Sequence, residues 1–195
     1  EIINSKETIR LNGFLFGSIT VTKYLLKSKN IIYEKKLFNE ISNNYDFISF
    51  SDQDDIWHED KLFSAWKNLE DGYNYGYSSS FTNFRFGKEK KYVNKHNNQK
   101  KYDFIFEGPG PGCTFVITQK LALKIKDVIN KNKDKIKKIS YHDWFIYFYC
   151  RSLGLPWFID TNSYILYRQH EENVWGSNIG FKSFLKRIKL VFDGE

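Results

Sequence analysis

The chain has 195 residues, 41% of them hydrophobic and 18% aromatic, which excludes an intrinsically disordered protein. This length is enough for one domain with a hydrophobic core, and no apolar run approaches the roughly 18 residues of a membrane span. The net charge of +7 predicts an anionic partner: a nucleotide-sugar, a lipid phosphate, an anionic membrane or a nucleic acid.

The first 44 residues give the weakest pattern. The segment from Ile19 to Leu26 is compatible with a strand or a helix, and Glu34 to Ile41 with one or two helical turns. No signal-peptide pattern opens the chain, so we expect a cytoplasmic protein. The sequence contains no methionine, which indicates a fragment of a longer protein.

A short apolar run from Asp46 to Ser51 predicts a buried strand. Three carboxylates follow it within four positions: Asp52, Asp54 and Asp55. Charges this close repel each other, and a bound divalent cation is one common solution, because hard cations prefer carboxylate oxygens. The alternative is an acidic turn that caps the next helix, since Asp is a good N-cap residue.

A helix is predicted from about Glu59 to Glu70, ended by Asp71-Gly72. Its core face is predicted to consist of apolar side chains at helical spacing: Leu62, Phe63, Trp66 and Leu69. Tyr75 to Phe86 then predicts one strand or a hairpin arm. The basic segment 87–101 has only one aromatic residue inside it, which favours a solvated loop or hairpin over a nucleic-acid-binding surface.

A loop rich in glycine and proline spans Glu107 to Thr114, and its glycines allow backbone to approach a ligand closely. It lacks the spacing of a P-loop. A helix capped by Thr118 is predicted from about Gln119 to Lys131. Cys113 lies in the loop, and since it has no metal-like spacing with Cys150, both cysteines are predicted to be buried reduced thiols.

The segment from Ser140 to Trp144 begins another helix. Ser140 and Asp143 fit a capping box, which gives Asp143 a purely structural explanation. The helix that follows is apolar all round and is predicted to be buried. A carboxylate at the start of such a helix is also where a reactive base would be placed, so both interpretations stay open.

The last two predicted elements are a strand from Tyr164 that opens into a loop with Arg168 and His170, and a C-terminal helix over 181–195. The helix is basic and amphipathic, which is typical of membrane-surface contact. Docking on the domain itself is the alternative.

Four of these stretches resemble family 2 glycosyltransferases, and in particular the rhamnosyltransferase-like enzymes that build bacterial surface polysaccharides. They are Ser-Asp-Gln-Asp-Asp-Ile-Trp (51–57), Gly-Cys-Thr followed by Phe-Val-Ile (112–117), His-Asp-Trp (142–144) and Tyr-Arg-Gln-His (167–170). The resemblance covers roughly 45–178. Two departures are Ser78-Ser79-Ser80, where many members carry an Asp, and Glu171, where Gly is usual.

The resemblance implies an α/β fold, a GT-A-like mixed sheet flanked by helices. The family's first strands, which hold the nucleotide base and ribose, are expected to be missing. Residues 1–180 would form a partial GT-A domain, and 181–195 a separate C-terminal helix.

The resemblance also implies roles for individual residues. Asp143 would be the catalytic base. Asp54 would bind Mg²⁺ or Mn²⁺, with Asp52 and His170 near the metal. Donor or acceptor would contact a wider set: Asp52, Asp55, Gly112, Cys113, Thr114, His142, Trp144 and Arg168.

The predicted function is inverting glycosyl transfer from a nucleotide-diphosphate sugar to a saccharide or lipid-linked acceptor, at the inner face of the membrane and without nucleic acid. Two alternatives belong to other classes. One is a metal-dependent phosphoryl-transfer enzyme that uses Asp52, Asp54 and Asp143. The other is a basic binding module with no chemistry, which salt would weaken steeply.

Overall fold

The computed structural model describes residues 5–8, 19–23, 46–52, 55–85, 87, 89–136, 139 and 141–169. Several predicted features lie outside these ranges: the helical turns over 34–41, Asp54, Ser140, His170 and the C-terminal helix over 181–195.

The strands within the described residues form one mixed sheet. The strands are β1 (Ser5–Thr8), β2 (Ile19–Lys23), β3 (Phe47–Ser49), β4 (Ile56–Trp57), β5 (Gly76–Phe84), β6 (Lys91–Val93), β7 (Val116–Thr118) and β8 (Trp157–Arg168). Their order is β1-β2-β3-β7-β5-β8-β4, with β6 paired to β5 as the second arm of a hairpin. The segment from Ile19 is therefore a strand rather than a helix, and it pairs in parallel with β3.

The helices are α1 (Lys61–Lys67), α2 (Gln119–Lys131), α3 (Lys133–Ile136) and α4 (His142–Ser152). The predicted cap of α2 is confirmed, because Thr118 Oγ1 accepts a hydrogen bond from the Leu121 amide at 3.3 Å. The turn after α1 closes at Gly72, whose φ of 73° favours glycine. No helix in the described part of the chain is long and apolar enough to cross a membrane.

Two hydrophobic clusters cover the two faces of the sheet. Phe47 and Val116 belong to the cluster under α1, whereas their neighbours Ile48 and Ile117 belong to the cluster under α2 and α4. Because successive side chains of a strand point to opposite faces, the helices lie on both sides of the sheet. The predicted α/β architecture is thus confirmed, and it is consistent with a GT-A-like fold.

Two details of the predicted core are wrong. Phe63 is 44% exposed, whereas Leu62 and Leu69 are buried as predicted, and Lys61 and Ala65 are buried with them. Helix α4 is not buried all round, since Phe148 is 40% exposed. Hydrophobicity alone predicts these aromatic residues in the core, whereas α1 and α4 each press only one face against the sheet.

The strand directions place several chain segments at one edge of the sheet. Strand β7 is antiparallel to both β3 and β5, and β8 is parallel to β5. The carboxyl ends of β3, β5 and β8 therefore meet at the edge where β7 begins. The acidic turn, the 112–114 segment and Arg168 all lie at this edge.

The pairing of β5 with β8 requires a glycine at position 76. Gly76 lies opposite Trp157, and a Cβ at Gly76 would be 2.2 Å from Trp157 Cε3. The Trp157 ring has little freedom to move, because its Nε1 donates to Ser78 Oγ at 3.0 Å and its ring contacts Phe115.

We expect Gly76→Ala to lower the free energy of unfolding by about 1–3 kcal/mol, the usual cost of overpacking a core. Urea denaturation followed by circular dichroism measures this change. Gly108→Ala is the matched control, because a Cβ there meets nothing within 4 Å. Equal stability of the two variants would show that the Trp157 ring yields to an added methyl group.

Candidate functional site

The acidic turn begins where β3 ends. Asp52 is exposed and Asp55 is half-buried, and Asp55 Oδ1 accepts a hydrogen bond from the Arg168 amide at 3.1 Å. This bond joins the turn to the end of β8. The N-cap of α1 is Asp60, so Asp52 and Asp55 do not cap that helix. The helix-cap explanation therefore fails for the two described carboxylates of the turn.

Cys113 lies directly beside the two carboxylates. A carboxylate oxygen of Asp52, one of Asp55 and Cys113 Sγ all lie within 4.8 Å of one another. Cys113 is held there by the sheet, since the Phe50 amide donates to Phe115 O at 3.2 Å. The spacing of residues in the sequence does not by itself predict that this thiol lies next to the acidic turn.

The Cys113 thiol is buried and neutral. Burial raises the pKa of Cys113 well above its usual value, and the negative charges of Asp52 and Asp55 raise it further. Both cysteines have free thiols and are buried, as predicted. A protonated thiol is a poor ligand for a hard cation, whereas two adjacent carboxylates suit Mg²⁺ or Mn²⁺. The donor set thus fits such an ion through Asp52 and Asp55, with Cys113 as a neighbour rather than a ligand.

The 112–114 segment is a 3₁₀ turn whose side chains are buried. Thr114 is 0% exposed, and its Oγ1 donates to Pro111 O at 2.8 Å, which closes the turn on itself. Thr114 and Cys113 therefore shape this part of the site from beneath its surface. Ser78, the first of the three serines in place of the family's Asp, supports the preceding loop, since its Oγ donates to Pro109 O at 3.3 Å.

Gly112 connects the acidic turn to the start of α4. A Cβ at Gly112 would lie 3.0 Å from His142 Nε2 and 3.2 Å from Asp143 Cβ. The backbone of Gly112 and the start of α4 are therefore close, and a side chain at position 112 would require His142 or Asp143 to shift by a few tenths of an ångström. Since Cys113 is the next residue, a single dipeptide joins the acidic turn to Asp143.

The capping-box interpretation of Asp143 is wrong in register. Helix α4 begins at His142 with Tyr141 at the N-cap position, so Asp143 is the second helical residue and not the third. Asp143 Oδ1 accepts a hydrogen bond from the Trp144 amide at 2.8 Å, so the carboxylate still stabilises the helix start. Trp144 Nε1 donates to Phe104 O at 2.8 Å, which anchors this end of α4 to the 103–105 turn.

Tyr167 is a site residue that the sequence did not single out. Burial raises the pKa of its phenol, and the nearby Cys113, Asp52, Asp55 and Asp143 raise it further. The phenol therefore lies near both the acidic turn and Asp143, and it stays protonated and can donate a hydrogen bond. A tyrosine in a strand is usually predicted to be a core residue. Only the position of Tyr167 directly before Arg168 could have indicated a site role.

No protein-family model matches the chain. Among curated proteins, the chain is 43% identical over 148 residues to the dTDP-rhamnosyl transferase RfbG of Shigella flexneri. The predicted resemblance to rhamnosyltransferase-like glycosyltransferases is confirmed. The match covers 76% of this chain and 51% of the relative, so the chain spans about half the length of that protein.

The burial of both cysteines predicts a thiol-labelling pattern. Burial also raises the pKa of Cys150, to about 12. Since the thiolate is the reactive form, both thiols should stay largely unmodified by a disulfide reagent for about an hour at pH 8 in the native chain. Both should react at once after unfolding in urea. Fast labelling of Cys113 in the native chain would contradict its placement beneath the acidic turn.

Proposed function

We propose that this chain is part of an inverting glycosyltransferase of bacterial surface polysaccharide synthesis. It transfers a sugar from a nucleotide-diphosphate donor to a saccharide or lipid-linked acceptor. The observation that carries the proposal is the joining of the acidic turn to the start of α4 through Gly112 and Cys113. The relative's name makes dTDP-rhamnose the first donor to test.

The carboxylates of the turn would hold Mg²⁺ or Mn²⁺. The closeness of Asp52 and Asp55, whose carboxylate oxygens lie within 4.8 Å of each other, supports this role. Asp54 and His170 belong to the same proposed set beyond the described residues. When bound, the ion offsets the negative charge on the diphosphate leaving group. Arg168, whose guanidinium lies 5.3 Å from the Phe84 ring centre, supplies a second positive charge at this edge of the sheet.

Asp143 would act as the general base. The acceptor hydroxyl oxygen forms a bond to the anomeric carbon while the bond from that carbon to the diphosphate oxygen breaks. Asp143 takes the hydroxyl proton, and the diphosphate leaves with the bonding electron pair. One displacement inverts the anomeric configuration without a covalent intermediate. The Tyr167 phenol, which stays protonated, would donate a hydrogen bond to a substrate oxygen between the two carboxylate groups.

Membrane association is a further part of the proposal. A lipid-linked acceptor would place the enzyme at the inner face of the membrane, and the basic amphipathic pattern of 181–195 suits that surface. Neither the phosphoryl-transfer enzyme nor the non-catalytic basic module gains support, because the relative carries a glycosyl-transfer name.

The role of Asp143 can be tested with Asp143→Asn in the full-length protein. Asn keeps a hydrogen-bonding side chain at the helix start, so the loss of stability should be about 1 kcal/mol or less. A lost base should lower turnover by about 10²–10⁴-fold, with donor binding unchanged. Steady-state kinetics, calorimetry with dTDP and thermal melting measure the three quantities.

Asp127→Asn is the matched control, because it makes the same chemical change on the exposed face of α2. It should turn over like the wild type. If Asp143→Asn stays within about threefold of the wild-type rate, Asp143 only stabilises the helix start and the base lies elsewhere.

The metal proposal predicts that EDTA abolishes sugar transfer and that Mn²⁺ or Mg²⁺ restores it. Asp52→Asn should raise the Mn²⁺ concentration for half-maximal activity by about tenfold or more, because it removes one charged oxygen ligand. Glu70→Gln, an exposed change after α1, is the control. Full transfer activity in EDTA would rule out the assignment of the acidic turn.

A further inference from the structure

Lys61 is a lysine in the hydrophobic core. It is the first residue of α1, only 1% exposed, and it is one of the largest fully buried side chains in the described part of the chain. Burying an ammonium group among apolar side chains is costly unless other groups compensate. The contacts of Lys61 therefore explain why this position holds a lysine rather than an apolar residue.

The Lys61 ammonium touches both ends of the acidic turn. Lys61 Nζ donates to Ser49 Oγ at 2.9 Å, and it lies 3.5 Å from the centre of the Trp57 ring. Ser49 is the last residue of β3 and Trp57 is the last residue of β4. One side chain thus joins the strand that leads into the acidic turn to the strand that leads out of it.

Two further contacts extend this junction to the rest of the site. Ser49 Oγ donates to Phe115 O at 3.3 Å, which links it to the strand that follows Cys113. Burial lowers the pKa of Lys61 to about 7, while the nearby Cys113 and Asp55 act in the opposite direction. Lys61 is therefore close enough to interact with the same thiol and carboxylate that form the site.

We propose that Lys61 is a positioning residue, whose side chain clamps the two ends of the acidic turn and thereby holds Asp52 and Asp55 in place for the donor. The effect on the donor rests on the proposed glycosyltransferase function. The clamp itself does not, because it concerns only how firmly the turn is held. A lysine that only stabilised the fold would protect the whole domain equally, whereas a clamp protects the acidic turn in particular. Local and global stability can be measured separately.

The test compares Lys61→Met, Lys61→Arg and Ser49→Ala in the full-length protein. Met keeps most of the length and packing of the side chain and removes the charge and the hydrogen bond. Arg keeps the positive charge and can still donate a hydrogen bond. Ser49→Ala removes only the hydrogen-bond partner. Tyr77→Phe is the matched control, because it removes a buried hydrogen bond of 3.0 Å, from Tyr77 Oη to Asp160 Oδ2, that joins β5 to β8 and does not involve the acidic turn.

Amide hydrogen exchange measures the clamp directly. In Lys61→Met, the amides of residues 50–52 and 55–57 should exchange about tenfold faster or more, since local opening controls exchange there. Affinity for dTDP with Mn²⁺, measured by calorimetry, should fall by about tenfold, the effect expected from one lost hydrogen bond to a charged group. Ser49→Ala should also speed exchange in the turn and weaken dTDP binding, but by less. Lys61→Arg should keep both the exchange rate and the dTDP affinity close to the wild-type values.

Tyr77→Phe should lower the melting temperature without changing either quantity. If exchange in Lys61→Met rises equally along the whole chain, or does not change in the turn, the clamp is refuted. If Lys61→Met does not fold, amide exchange in Ser49→Ala decides whether the clamp exists, by the same criteria. A wild-type protein that binds neither dTDP nor any other nucleoside diphosphate with Mn²⁺ would refute the proposed function, and the exchange measurement would still decide the clamp.

Discussion

The antiparallel pairing of β3 with β7 is the contact on which the site depends. It aligns Ser49 with Val116 and carries the bond from the Phe50 amide to Phe115 O, so the end of one strand lies beside the start of the other. The acidic turn follows the first strand, and Cys113 precedes the second. Residues about 60 positions apart in the sequence therefore become neighbours through the backbone, before any side-chain contact is considered. A slip of one residue in this register would turn every side chain of β3 to the other face of the sheet.

The acidic turn gathers negative charge at this edge, and the surrounding residues partly offset it. The Arg168 amide donates to Asp55, and the neutral Cys113 thiol lies beside both described carboxylates. The Lys61 amino group donates to Ser49, at the end of the strand that leads into the turn. Each compensating group comes from a different element: β8, the 3₁₀ turn and α1. A carboxylate pair held this way is arranged before any ligand arrives, which lowers the cost of ordering it on binding. The same arrangement explains why a lysine is buried here, although the position is otherwise suited to an apolar side chain.

Local patterns predicted much of the fold. The apolar run before the acidic turn, the Thr118 cap of α2 and the glycine turn after α1 depend on neighbours in sequence, and all are present in the structure. The errors concern long-range packing. The exposure of Phe63, the burial of Lys61 and the position of Tyr167 are decided by which face meets the sheet, and periodicity does not encode that. Motif resemblance predicts the candidate residues Asp52, Asp55, Gly112 and Asp143. The pairing of the strands brings them together, and the motifs do not encode that pairing.

Gly112 shows how the two halves of the proposed chemistry depend on each other. Its contact with His142 and Asp143 leaves little room for a side chain, and the next residue, Cys113, lies against the acidic turn. The dipeptide of Gly112 and Cys113 therefore contacts the start of α4 at one residue and the acidic turn at the other. Inverting transfer needs the acceptor oxygen and the leaving group on opposite sides of one carbon, which is a constraint on the distance between base and donor. In the proposed mechanism, the dipeptide between Asp143 and the acidic turn would help to set that distance through the backbone.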